Sequence, residues 1–298
     1  MSVADADFAA EMEVAPRYSE FRRVVRVFFR RKVALVGLAI VAALILTAIF
    51  APLLAPYDPY LVNIPEKLLQ PTTKSLLGTD MLGRDLLSRI IYGSRISLLV
   101  GLGAVGLGSV IGQILGLLAA YFGGLVYTIV MRFIDALMAF PGIILMVIIA
   151  ALLGRGMVNL IIALSLGMIP VSARLMCAEA LRVKESDYVL AARAMGAGDF
   201  RTMLRHVYPN CFASLLVLMS IMLGVTILAE AGLSFLGLGI PAPGAAWGRM
   251  VNEGYRYLLT NPLVSIAPGV AIMLVVFGFN MMGDGLRDAL DPRLRGVV

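Results

Sequence analysis

The chain has 298 residues, of which 60% are apolar and 15% charged, against roughly 45–50% and about 25% in ordinary soluble proteins. That balance excludes a disordered chain and argues against a water-soluble enzyme. Basic residues exceed acidic ones by 25 − 19 = +6, which in so apolar a chain suits an anionic membrane surface better than nucleic acid. With only Cys177, Cys211 and His206 available, a multi-disulfide scaffold and a Cys/His metal site are also excluded.

In chain order, Phe21, Val24, Val25 and Phe28 recur at helical spacing while Arg22, Arg26 and Arg30 form another face. This predicts an amphipathic helix in the headgroup layer, within a basic cytoplasmic leader of residues 1–32. Roughly 20 uncharged residues at about 1.5 Å each cross a hydrocarbon core, and residues 33–56 form the first such run. Its length, about twice a signal-peptide core, marks it as retained. The run 96–131 is divided by Tyr121-Phe122-Gly123-Gly124 into a second span and the start of a third, which continues past Arg132 and Asp135 to residue 154. Arg132 and Asp135, three apart, read as a local ion pair. Further spans cover 157–173, 211 to about 236 with Glu230 inside it, and 262–283. The prediction is an all-α integral membrane protein with six transmembrane helices, occupying residues 33–298. Six crossings put both termini on one side. Seventeen of the 25 bases then flank the terminal side and eight the other, so the chain is N-in and C-in.

The outer loop, 57–95, carries Gly78-Thr79-Asp80 and Gly83-Arg84-Asp85, followed by Leu86, Leu87, Ile90 and Ile91 on one face of a short helix. Asp80 and Asp85 lack the alternating ligands of a calcium loop and read as loop and cap residues. In the second span, 101–106 fits G-x-G-x-x-G but has neither a βαβ context nor a downstream acid. The useful pattern there is Gly108, Gly112 and Gly116 at i, i+4, i+8, a groove for close helix approach.

The inner loop, 174–205, is expected to form two short helices. Ser186 or Asp187 caps one running from Tyr188 to Met195, with Gly196 ending it, and Asp199 caps another reaching Arg205. Pro209 starts the fifth span. Ala191, Ala192 and Ala194 are small enough for a partner surface to come near. Taken alone, the hairpin serves equally as a plain surface turn or as a docking knob.

Leu190-Ala191-Ala192, three residues, Gly196, nine residues and His206-Val207-Tyr208-Pro209 resemble the EAA loop of ATP-binding-cassette importer permeases, E-A-A, three residues, G, nine residues, I-x-L-P. Leu190, His206 and Tyr208 depart from it, so no role of the Glu is carried over. Gly78-Thr79-Asp80 with Gly83-Arg84-Asp85, the stretch 230–239 with Trp247-Gly248, and the tail from Asn280 to Arg293 are similar to the dipeptide, oligopeptide and nickel branch, most of all its second, C-type permease. The resemblance implies a type I importer permease of the inner (cytoplasmic) membrane, half of a translocation path for peptides or related small solutes. Its implied partners are a homologous second permease, two ATPase subunits and an extracytoplasmic substrate-binding protein.

The ATPase-coupling residues are then Tyr188, Leu190, Ala191, Ala192, Arg193, Gly196 and Pro209. The chain itself is expected to be no enzyme. Lys32, Lys67, Lys74 and Lys184 follow Arg, Glu, Thr and Val, so there is no P-loop; ATP and Mg belong to the partner ATPases, and this chain carries no cofactor and no metal. Glu230 and Ser234 are the candidates for the path. An acid inside a span faces a cavity or a partner, and both readings of Glu230 stay open. His206 fits a cap or interface role better than a pH sensor. An intramembrane serine protease would need Ser234 and His206 together, yet they lie 28 residues apart near opposite ends of one span, about 40 Å. A secondary transporter is the competing reading; it needs no ATPase and gives the inner hairpin no task.

Overall fold

The computed structural model describes residues 20–290. Residues 1–19 of the leader, and 291–298 with Arg293 and Arg295, lie outside the described residues. The described chain is helical throughout: α1 (Glu20–Arg30), α2 (Lys32–Ile49), α3 (Ala51–Leu54), a 3-10 turn (Ile64–Glu66), α4 (Leu86–Phe122), α5 (Gly124–Met138), α6 (Gly142–Leu153), α7 (Met157–Lys184), α8 (Asp187–Ala194), α9 (Asp199–Thr202), a π-helical turn (Met203–Val207), α10 (Tyr208–Phe235), α11 (Trp247–Tyr255) and α12 (Leu263–Leu290).

Five helical runs are each long and apolar enough to cross a membrane: α2, α4, α7, Asp199–Phe235 and α12. α5 and α6 meet that standard only together, and they bend by 88°. The third span, expected to be continuous, is therefore broken, and Pro141 at the break supplies the reason. Its ring withholds a backbone N–H and disfavours the helical conformation at Phe140.

Helices run past the charged residues expected to bound them. The short helix expected over Leu86 to Ile91 is the first turns of the 37-residue α4. Asp85 caps it, its carboxylate accepting from the Ser88 amide at 2.8 Å and the Ser88 hydroxyl at 2.7 Å. Arg95 inside this helix causes no break, because its guanidinium donates to the Ala48 and Ile49 carbonyls at 2.5 and 3.0 Å and so serves the open end of α2. On the inner side α7 continues through Arg174 to Lys184. Asp135 bonds Arg174 across helices at 2.6 Å; the local pair expected with Arg132 is replaced by this one.

The bundle is built on a glycine seam. A side chain at Gly108 would meet Met168 Cβ at 2.6 Å, and one at Gly112 would meet the Ile169 carbonyl oxygen at 2.6 Å. Gly116 comes closer still to the Ala173 carbonyl, so α4 and α7 touch backbone to backbone over two turns. A second seam joins the first and last spans, with Gly37 of α2 against Met281 and Gly278 of α12 against Ile40. Arg31 pairs with Asp288 at 3.1 Å, which places the start of α2 and the end of α12 at the same face of the bundle. α1 docks there as well, with Phe28 beside Gly285. By contrast α5 and α6 bury only Ile134 and Ala150. Their remaining apolar surface is left for lipid or a partner.

Candidate functional site

At the basic end of the bundle, the segment between α7 and α10 folds as the expected hairpin. α8 ends in a Schellman motif: the Gly196 amide donates to the Arg193 carbonyl at 2.9 Å and the Ala197 amide to the Ala192 carbonyl at 3.0 Å. Gly196 sits at φ +86°, a conformation that costs a residue with a Cβ. The start differs from expectation. Neither Ser186 nor Asp187 caps α8 with its side chain, because the Ser186 hydroxyl turns back to the Val183 carbonyl at 2.5 Å. Nor does Asp199 cap α9; its carboxylate accepts from the Tyr121 hydroxyl at 2.8 Å instead. Pro209 occupies the first turn of α10, where its missing N–H costs nothing.

The hairpin buries more than a surface turn would. Val189, Thr202 and Val207 are fully buried, with Ala192 and Met203 nearly so, and Val189, Met203 and Val207 cluster with Ala180, Val183, Cys211 and Leu215 of α7 and α10. Ala192, expected to face a partner, thus faces its own chain. Tyr188, Leu190, Ala191 and Gly196 remain exposed, and Arg193 is half-buried. Around them stand Met195 at 84% exposure, Phe200 at 71% and Leu204. Large apolar side chains so exposed on a polar protrusion are the kind of patch that protein partners cover.

Tyr121, at the inner end of α4, fixes this knob to the bundle. Besides its bond to Asp199, its carbonyl accepts from the Lys184 ammonium at 2.6 Å. The Arg193 guanidinium and Lys184 ammonium lie 4.9 and 5.5 Å from its ring centroid, within cation–π range. Tyr208, where the loop rejoins a span, donates to Gln113 of α4 at 3.0 Å. These contacts tie the hairpin to α4, which the glycine seam joins to α7. His206 sits half-buried in the π-helical turn, its carbonyl accepting from the Asn210 side-chain amide at 2.7 Å.

Towards the opposite end, Glu230 is fully buried, accepting from the Ser234 hydroxyl at 2.6 Å, while its Oε2 finds no partner among the described residues. Beyond it lies an ion network that the sequence reading missed. Arg84 pairs with Asp80 at 2.7 Å and Glu253 at 3.2 Å; Arg89 pairs with the same two acids at 3.2 and 3.6 Å. Both arginines are 1–2% exposed. Arg249 closes the set on Glu253 at 2.7 Å. This network ties the outer loop and α4 to α11. Only the Asp80–Arg84 pair, at i, i+4, carries a local signal; Glu253 is 169 residues from Arg84 and leaves none. For Met195 and Phe200 the signal was present, as large apolar residues flanking Gly196 in an otherwise charged loop.

Residues 112–296 match the model of the binding-protein-dependent transport system inner membrane component, and residues 19–71 match the N-terminal TM domain of oligopeptide transport permease C. The chain is 43% identical over 276 residues to the glutathione transport system permease protein GsiD of Pectobacterium atrosepticum, covering 92% of each. It is 39% identical to the dipeptide transport system permease protein DppC of Alkalihalophilus pseudofirmus, covering 93% of this chain and 91% of that one. It is 42% identical to the di/tripeptide transport system permease protein DppC of Pseudomonas aeruginosa, covering 91% of both. In fold it is similar to a chain of the inward-facing MetNI methionine ABC transporter, with a TM-score of 0.55 and 20% identity over 69% of this chain and 98% of that one. The chain belongs to the binding-protein-dependent transport system inner membrane components, and is a multi-pass permease subunit of an ATP-binding-cassette importer rather than an enzyme.

Proposed function

We propose that this permease carries peptides or closely related small solutes inward as half of a translocation path. A homologous second permease supplies the other half, an extracytoplasmic binding protein delivers cargo, and two cytoplasmic ATPases bind ATP and Mg. The observation that carries the coupling part of this reading is the exposed apolar knob of Leu190, Met195, Phe200 and Leu204, fixed to α4 through Tyr121. An ATPase groove that closes on nucleotide moves such a knob as a rigid body and rocks α4 with α7. Tyr188, Leu190, Ala191 and Gly196 supply its contact surface, Arg193 and Pro209 its attachment, and Ala192 its packing. The relatives named for dipeptides, di/tripeptides and glutathione support a peptide-like cargo. α1, with its arginine face, lies in the inner headgroup layer.

The test is to purify the tagged chain gently from its membrane, identify its partners, and measure ATP hydrolysis and dipeptide uptake in the same preparation. Stoichiometric recovery of a second permease and ATPases, lost on Met195→Asp, is the expected result. A stable transporting assembly without an ATPase would refute it in favour of a secondary transporter.

A further inference from the structure

At the outer end of the bundle, the turn between α6 and α7, the loop after α10, and helix α11 line an open-sided cavity of about 280 Å³. Its wall holds Arg155, Ser234, Arg249, Asn252, Glu253 and the glycine-rich stretch 237–242. Both oxygens of Glu253 are engaged by Arg84, Arg89 and Arg249. Arg155, by contrast, is exposed and forms no ion pair among the described residues; its guanidinium lies beside Gly237, 3.9 Å from where a Cβ would stand. Of the charged groups in this wall, Arg155 and Arg249 thus stand against Glu253 alone, a surplus of +1.

The floor has the opposite character. Ser234 is 2% exposed and spends its only O–H on Glu230, so the hydroxyl oxygen presents lone pairs alone. The Glu230 carboxyl behind it, fully buried and outside the cavity wall, carries an Oε2 with no hydrogen-bond partner among the described residues. Cationic donors at the rim and a carboxylate-backed acceptor at the floor complement a small molecule with a carboxylate at one end and an ammonium at the other. A phosphate or an acidic side chain would find donors at the rim but only acceptor lone pairs at the floor.

We propose that this cavity is a binding subsite for the peptide zwitterion, with Arg155 and Arg249 taking the C-terminal carboxylate and Ser234, backed by Glu230, facing the N-terminal ammonium. Guanidinium groups suit the planar carboxylate through paired N–H donors. The inference rests on the peptide reading above.

The test uses the assembled importer in lipid nanodiscs and a photoreactive dipeptide, alanyl-photoleucine, with its carboxylate free or amidated. Crosslinks are expected in 234–252 and beside residue 155. They should weaken about tenfold or more for the amide and for Arg155→Gln, with partial rescue in Arg155→Lys. Arg155 has no ion-pair partner to lose among the described residues, so the variant is expected to assemble normally, which gel filtration checks. Labelling that is indifferent to the amide or to Arg155→Gln overturns the site, as does displacement of the probe by inorganic phosphate alone. Uptake of the same dipeptide by cells with and without the importer separates the two readings. Normal uptake with indifferent labelling removes the subsite only; no uptake removes the peptide reading and the subsite together.

Discussion

Glu253→Ala should unfasten the outer face. In the native protein its carboxylate holds Arg249 at 2.7 Å, Arg84 at 3.2 Å and Arg89 at 3.6 Å. Arg84 and Arg89 are only 2% and 1% exposed, so water cannot replace the lost charge. Asp80 alone is then left to two buried guanidinium groups. Removing one member of a buried ion network costs about 3–5 kcal/mol, because the partner stays desolvated without compensation. At roughly 2–4 °C per kcal/mol for a chain of this size, melting of the purified assembly should fall by roughly 6–20 °C, read by scanning fluorimetry or by loss of the gel-filtration peak. The double variant Glu253→Met with Arg89→Met removes both charges and fills the space with apolar chain, and should recover most of the loss. The electrostatic reasoning fails if Glu253→Ala melts within about 2 °C of the parent, or if the double variant is no better than the single one.

Other perturbations follow the same geometry. Tyr121→Phe deletes the bond to Asp199 but keeps the ring under Arg193 and Lys184. Asp199 is largely exposed, so the stability cost should be about 1 kcal/mol or less, while ATP hydrolysed per dipeptide imported rises severalfold in proteoliposomes; an unchanged ratio would dismiss Tyr121 as the link. Gly112→Leu drives a side chain into the Ile169 carbonyl and should cost about 3 kcal/mol or more, abolishing recovery of assembled importer. Gly106→Ala, which meets nothing within 4 Å, is its neutral control. Phe200→Asp changes a side chain that is 71% exposed, and should leave the melting point unchanged while ATPase recovery on the tagged permease drops.

The parts legible in the sequence were those recorded locally. Uninterrupted apolar length gave the spans, and the four-residue repeat of Gly108, Gly112 and Gly116 marked the face on which α7 lies. Gly196, with its left-handed φ, was legible as a helix end for the same local reason. Charges misled the boundary reading, because Arg89, Arg95 and Arg174 find acids or helix-end carbonyls and need not leave their helices. The break at Pro141 had a signal, a proline followed by glycine, that the apolar run obscured. Tyr121 had none: Lys184 and Asp199 lie 63 and 78 residues away, and nothing in a tyrosine at a span end announces them. Ala192 shows the reverse error. A small residue in the motif suggests room for a partner, but the hairpin's own packing takes that room.

The seam between α2 and α12 has a consequence for biosynthesis. Of the described spans α2 leaves the ribosome first, yet Gly37 and Ile40 find their neighbours in Met281 and Gly278. α12 begins at Leu263, which is 263 − 49 = 214 residues after α2 ends at Ile49. At ~5–20 residues per second, the first helix waits roughly 10–40 s in the bilayer before its partner exists. Only 28% of its apolar window is buried even in the finished fold, so lipid can hold it through that interval. A chain cut short before α12 would insert, persist, and carry an open glycine face on α2, a ready mark by which a membrane protease could tell an unfinished permease from a complete one.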